Sequence, residues 1–197
     1  MTRHVAFLRA INVGGHTVKM DRLRALFEEL RFANVETFIA SGNVLFDTTS
    51  TVSVAMEARI ERHLAAALGY EVATFVRPLV ALPDIVAGHP FDSFERDGHS
   101  LTIGFLKDTL DADRCRALQA LETGYDEFHP SGREVFWLCH GRISDSKAWG
   151  SALDRVLGKL VTFRNVTTVR KLAAKASATA FPLGAAGAAR TGAPPRR

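Results

Sequence analysis

Apolar positions along this chain change period repeatedly, and each change marks an element. Residues 3–10, "RHVAFLRA", form a nearly unbroken apolar run, which predicts a mostly buried strand. "KMDRLRALFEEL" then sets Met20, Leu23, Phe27 and Leu30 on one helical face, with Asp21 near the positive end of that helix. "NVETFIA" and "NVLFD" are short strands joined through Ser41-Gly42, a hairpin signal. "VSVAMEARIERHLAAAL" returns to helical spacing, with Val52, Met56, Ile60, Leu64 and Leu68 on one face and Gly69 as its stop. "EVATFVR" supplies a fourth strand. The order β-α-β-β-α-β over residues 3–77 is the split βαβ unit of a ferredoxin-like plait.

The same order then recurs. "RPLVALPDIVAGHPF" is a proline-flanked connector with one short helix, and "HSLTIGFLK" alternates as a strand. "LDADRCRALQALE" is a helix, and "DEFHPSGREVFWLCH" is a hairpin turning at Pro130-Ser131-Gly132. "KAWGSALDRVLGKL", "VTFR" and "NVTTVRKLAAKAS" add a helix, a strand and a closing helix. No identity between the halves is evident, so the repeat is one of element order. The expected fold is therefore α+β: two ferredoxin-like (βαββαβ) plait subdomains with an extra C-terminal helix. The expected bounds are 1–78, a connector at 79–98, a second subdomain at 99–180 and a disordered tail at 181–197.

Topology assigns neighbours to the loops. In such a sheet the first and third strands are central and antiparallel, so "INVGGH" lies beside "IASGNV" at one edge. In the second unit "CHGRISDSK" and "FRNVTTVRK" share an edge. Both pairs of loops carry glycines, hydroxyls, amides or cations, the donors that an anionic ligand needs. If the two edges face each other, they make one interdomain cleft. The expected floor is Arg9, Asn12, Gly14, Gly15, Ser41, Gly42 and Asn43, and the expected opposite wall is Lys147, Arg164, Asn165, Thr168 and Lys171.

Composition narrows the chemistry. The net charge of +4 hides a split: residues 1–154 hold 16 Lys/Arg and 21 Asp/Glu, and beyond Asp154 come nine Lys/Arg and no acid. A basic end on an acidic body suits an anionic ligand, an acidic partner surface, or no specific partner at all. No apolar run approaches the ~20 residues that cross a bilayer, which argues against a membrane. The two cysteines, Cys115 and Cys139, make no disulfide framework, so they read as reduced thiols of a cytoplasmic protein. The histidines are scattered without ligand spacing, so no metal is expected. The Ala/Gly/Pro-rich tail "GAAGAARTGAPPRR" has no apolar period.

Gly14-Gly15 matches neither a Walker A loop nor a dinucleotide fingerprint, and no cofactor is expected. These glycines serve either a β-to-α loop at positive φ or a backbone nest for an anion. Asn12 and Asn43 either pin their own turns or line the cleft. Arg9, inside an apolar strand, is either a structural ion pair or an anion contact. Ser41 lacks the Gly-x-Ser-x-Gly elbow of a nucleophile, and His16 is the one histidine placed for acid/base work. The aromatic strand pattern of RNA-recognition modules is absent, so nucleic acid is an unlikely partner.

"FLRAINVGG", "FIASGNVLF", "GRISDSK" and "FRNVTTVRKL", in that order over about residues 3–175, resemble the uncharacterised bacterial family called domain of unknown function 1697. The resemblance implies two ferredoxin-like subdomains and leaves the biochemical role open. Three departures stand out: Ala10 where glycine is usual, "SDSKAWG" for a tighter Gly-Arg-Ser-Lys-Leu, and Val166 where tryptophan is usual. The reading with most support is a protein binding a small anionic, phosphorylated or nucleotide-like ligand in an interdomain cleft. Its rival is a non-catalytic interaction module that holds a protein or RNA. Neither enzymatic activity nor oligomeric state is legible.

Overall fold

The computed structural model describes residues 1–12, 15–39, 42–50, 54–92, 98–158 and 161–179. The first half holds β1 (Thr2–Leu8), α1 (Met20–Glu29), β2 (Ala33–Phe38), β3 (Asn43–Thr48), α2 (Val54–Leu68) and β4 (Thr74–Pro78). A 3₁₀ turn (Leu79–Ala81) and α3 (Leu82–Ala87) follow. The second half holds β5 (Ser100–Leu106), α4 (Ala112–Gln119), β6 (Asp126–Ser131), β7 (Glu134–Cys139), α5 (Ser151–Leu157), β8 (Val161–Asn165) and the C-terminal helix α6 (Val166–Thr179). The sheets run β2-β3-β1-β4 and β6-β7-β5-β8, with antiparallel neighbours throughout. These are two α+β plaits of the ferredoxin-like kind. The tail at 181–197 lies outside the described residues.

Alternation along each strand divides the side chains between two faces. In the first sheet Ala6, Leu8, Val44, Phe46 and Val76 face Leu23, Phe27, Ile60 and Leu64 of α1 and α2. In the second, Leu106, Val135, Trp137 and Val161 face Leu118, Leu153 and Leu157 of α4 and α5. The other two faces meet each other. Val5, Phe7, Leu45 and Phe75 pack on Leu101, Ile103, Phe105 and Phe136 in a third core, sealed by Leu79, Leu82, Val169 and Leu172. At its centre the Phe7 and Phe105 rings stack with centroids 3.9 Å apart.

The halves repeat at the level of residues as well as elements, which corrects the expectation of a repeat in element order alone. Phe7 pairs with Asn43 and Phe75, and Val5 pairs with Arg77. Phe105 pairs with Glu134 and Thr162, and Ile103 pairs with Arg164. Phe7-Leu8-Arg9 therefore holds the register of Phe105-Leu106-Lys107, and Arg77 holds that of Arg164. Each of these arginines crosses to the opposite half. Arg77 donates from Nη2 to the Leu106 and Arg133 carbonyls (both 2.8 Å) and from Nε to Glu134 (2.7 Å). Arg164 donates from Nη2 to the Leu8 and Gly42 carbonyls (2.8 and 3.3 Å) and from Nε to the Asn43 side-chain oxygen (2.7 Å). Leu8 corresponds to Leu106, Gly42 to Arg133 and Asn43 to Glu134, so the two clasps are one device used twice. The C-terminal helix has its counterpart in α3, which packs against it.

Candidate functional site

The strand β1 exit and the β2–β3 turn share an edge, as the topology requires. The Leu8 amide donates to the Gly42 carbonyl (2.8 Å). Gly42 has φ +72°, and a Cβ there would stand 2.6 Å from the Ile11 side chain, so both conformation and space demand glycine. The Asn43 amide donates to the Phe38 carbonyl (3.1 Å) across the hairpin, and its oxygen receives Arg164. The Val18 amide donates to the Asn12 side chain (2.7 Å), tying the glycine loop to the approach of α1. Gly15 takes φ +88° in open space. Gly14 and Ser41 lie outside the described residues.

Gly42, Asn43 and Arg164 therefore meet, but as a closed contact. Arg164 is 9% exposed, and its fork also reaches the Thr162 hydroxyl (2.9 Å) and the Phe163 carbonyl (2.8 Å). Every acceptor named is neutral, and burial pulls the guanidinium down to about 10. It remains charged at neutral pH. The other expected wall residues stand apart from this contact. The Asn165 side chain accepts from the Thr167 amide (2.8 Å) as a cap of α6, Thr168 is half-buried, and Lys147 and Lys171 are exposed.

Open space lies one step further along, where β1 and β5 leave their sheets. A cavity of about 510 Å³ is lined by Arg9 and Ala10 after β1, Lys107 after β5, Glu61, Arg62 and Ala65 on α2, and residues Glu71, Val72 and Ala73 before β4. Of the expected site residues, Arg9 lines it. Helix α2 is fixed there by the sheet edge: Glu57 and Glu61, one turn apart, accept from the outward amides of Val76 and Thr74 (both 2.8 Å). The second half adds Arg133, donating to Glu57 (3.0 Å), and Lys107, donating to Glu61 (2.5 Å). Arg9 reaches the other way, to the Gly158 carbonyl (2.6 Å) and to exposed Asp154 (3.3 Å). Arg62 is exposed and makes no hydrogen bond or ion pair among the described residues.

The lining thus combines three cations, two carboxylates and a floor of small apolar side chains. The apolar spacing of α2 marks it as a core helix, whereas its polar face carries Glu57 and Glu61. The signal was the Glu57–Glu61 spacing on a helix that follows a hairpin and precedes an edge strand. Other chemistries find less support. Burial pushes the Cys139 thiol up to about 11, which leaves it inert at neutral pH. Among the described residues no group of His, Cys, Asp and Glu is arranged to hold a metal ion.

Ala10 at the rim has φ +56°, a left-handed conformation that costs a residue with a Cβ about 1 kcal/mol. The resemblance drawn from the sequence expects glycine at this position. Ala10→Gly is expected to raise folding stability by up to ~1 kcal/mol, read as a higher urea midpoint at unchanged slope.

Comparison with known proteins agrees with this architecture. The chain belongs to the family described as "Protein of unknown function (DUF1697)", whose model matches residues 1–136. It is similar to the conserved bacterial protein SP0830 from Streptococcus pneumoniae, with 27% identity and a TM-score of 0.73 over 90% of this chain and 99% of that one. No curated protein matches the chain.

Proposed function

We propose that this protein binds a small anionic, phosphorylated ligand in the cleft between α2, the β1 and β5 exits and the start of β4, and that it does so in the cytoplasm. The observation that carries the reading is the convergence of Arg9, Arg62 and Lys107, drawn from both halves, on one 510 Å³ cavity. Guanidinium and ammonium groups beside a partly desolvated floor favour phosphate or carboxylate, and charge-assisted hydrogen bonds are the strong ones. Arg9 and Lys107 already hold carboxylates, so an incoming anion takes up donors that Asp154 and Glu61 share. Arg62 is free to close on it. The cytoplasmic assignment rests on the free cysteines and on the absence, among the described residues, of a helix long and apolar enough to span a membrane.

The rival reading, a module holding protein or RNA on its sheet faces, has less support because those faces pack on each other around Phe7 and Phe105. A thermal-shift series over sugar phosphates, nucleotides and a polynucleotide separates the two. A cleft ligand at 100 times its Kd adds ~2.7 kcal/mol to stability. Arg62→Ala, at an exposed position, is expected to weaken that ligand about ten-fold without moving the melting point of the free protein. A shift produced by polynucleotide and by no small phosphate would favour the rival.

A further inference from the structure

We propose that the ligand of this cleft is a nucleoside monophosphate, with its base stacked on His16 and its phosphate held by Arg9, Arg62 and Lys107; this rests on the anion-binding reading above. His16 is an exposed residue of the glycine loop, yet its ring does not hang free. It lies over the Tyr70 ring with centroids 3.9 Å apart and planes at 20°. Tyr70 is fixed in turn, because its hydroxyl donates to the Ile11 carbonyl (3.0 Å). Tyr70 precedes Glu71, and Ile11 follows Ala10, and both of those neighbours line the cavity. Tyr70 is thus one residue from the lining position Glu71 and is bonded to the residue after the lining position Ala10, which sets the stacked pair beside the cavity. An imidazole backed by a tyrosine on one face is a ready platform for a flat ring on the other, and such stacking accepts any base.

The rest of the cleft agrees in size and polarity. About 510 Å³ is far more than one phosphate group fills, and Ala65, Val72 and Ala73 offer an apolar surface to the remainder of the ligand. A sugar between the cationic cluster and the rim platform would join the two contacts. Among the described residues the cavity lining holds no aromatic ring, so the base contact depends on His16.

Calorimetric titration of the full chain with AMP and with ribose 5-phosphate tests this directly. AMP is expected to bind roughly ten-fold or more tightly than ribose 5-phosphate, the two probes differing by the base. His16→Ala is expected to erase that difference and leave ribose 5-phosphate unchanged, whereas His16→Phe restores it because the platform needs a ring and no proton. Equal affinities for the two probes in the native protein, or an AMP affinity indifferent to His16→Ala, overturn the nucleotide assignment while leaving the anion site standing. If neither probe binds, the nucleotide assignment falls, and the anion reading stands or falls with the thermal-shift series over the other phosphates.

Discussion

Arg164→Met is expected to remove about 3–5 kcal/mol of folding stability, a cost set by the buried neutral acceptors that lose their donor. Methionine replaces much of the volume, so the loss is not a cavity effect. It arises because the Leu8 carbonyl and the Asn43 side-chain oxygen lose the Arg164 fork inside the junction of the halves, while the Gly42 carbonyl keeps the Leu8 amide as its donor. Each buried acceptor left alone costs about 1–3 kcal/mol. The Phe7 ring also loses the cation 5.7 Å from its centroid. Arg164→Lys would keep the charge, but a single ammonium lacks the planar fork that spans these acceptors, so most of the loss should remain. Urea denaturation followed by far-UV circular dichroism checks it. A loss below about 1 kcal/mol for Arg164→Met would show that the clasp is ornamental.

Phe105→Ala comes next, at about 3–5 kcal/mol, the usual cost of truncating a fully buried phenylalanine. The site cannot collapse easily, because Phe105 is stacked on Phe7 from the other half and lies under Arg77, 5.6 Å from the guanidinium carbon. Both rings are fully buried. Phe7→Ala should cost a similar amount, and the double variant should cost less than the sum by about 1 kcal/mol, the worth of an aromatic pair beyond its area. Additive losses would mean that the two sheets are held by their flanking helices, with the central stack contributing only its area.

Much of the fold was legible because period is a local property. The 3- and 4-residue steps of Met20, Leu23 and Phe27 and the alternation in "HSLTIGFLK" require no knowledge of a partner. The shared edge of Ile11 and Gly42 followed from topology, and the turn chemistry of Asn12 and Asn43 from their side chains. The role of Arg164 was not legible, since its acceptors Leu8, Gly42 and Asn43 lie more than a hundred residues away in sequence. Charge alone made it a candidate anion contact, and burial made it a clasp. The residue-level repeat was present in "FLR" and "FLK", but three residues are too few to establish it without strand register. The cavity needed the halves brought together: Arg9 and Lys107 are 98 positions apart, and neither shows the other in sequence.

The central claim, an anion site formed jointly by the two halves, is tested most directly by a crystal structure of the protein grown with AMP. The account predicts phosphate density within hydrogen-bond reach of Arg62 and of at least one of Arg9 and Lys107. Phosphate bound elsewhere on the surface, or an empty cleft at saturating AMP, would contradict it.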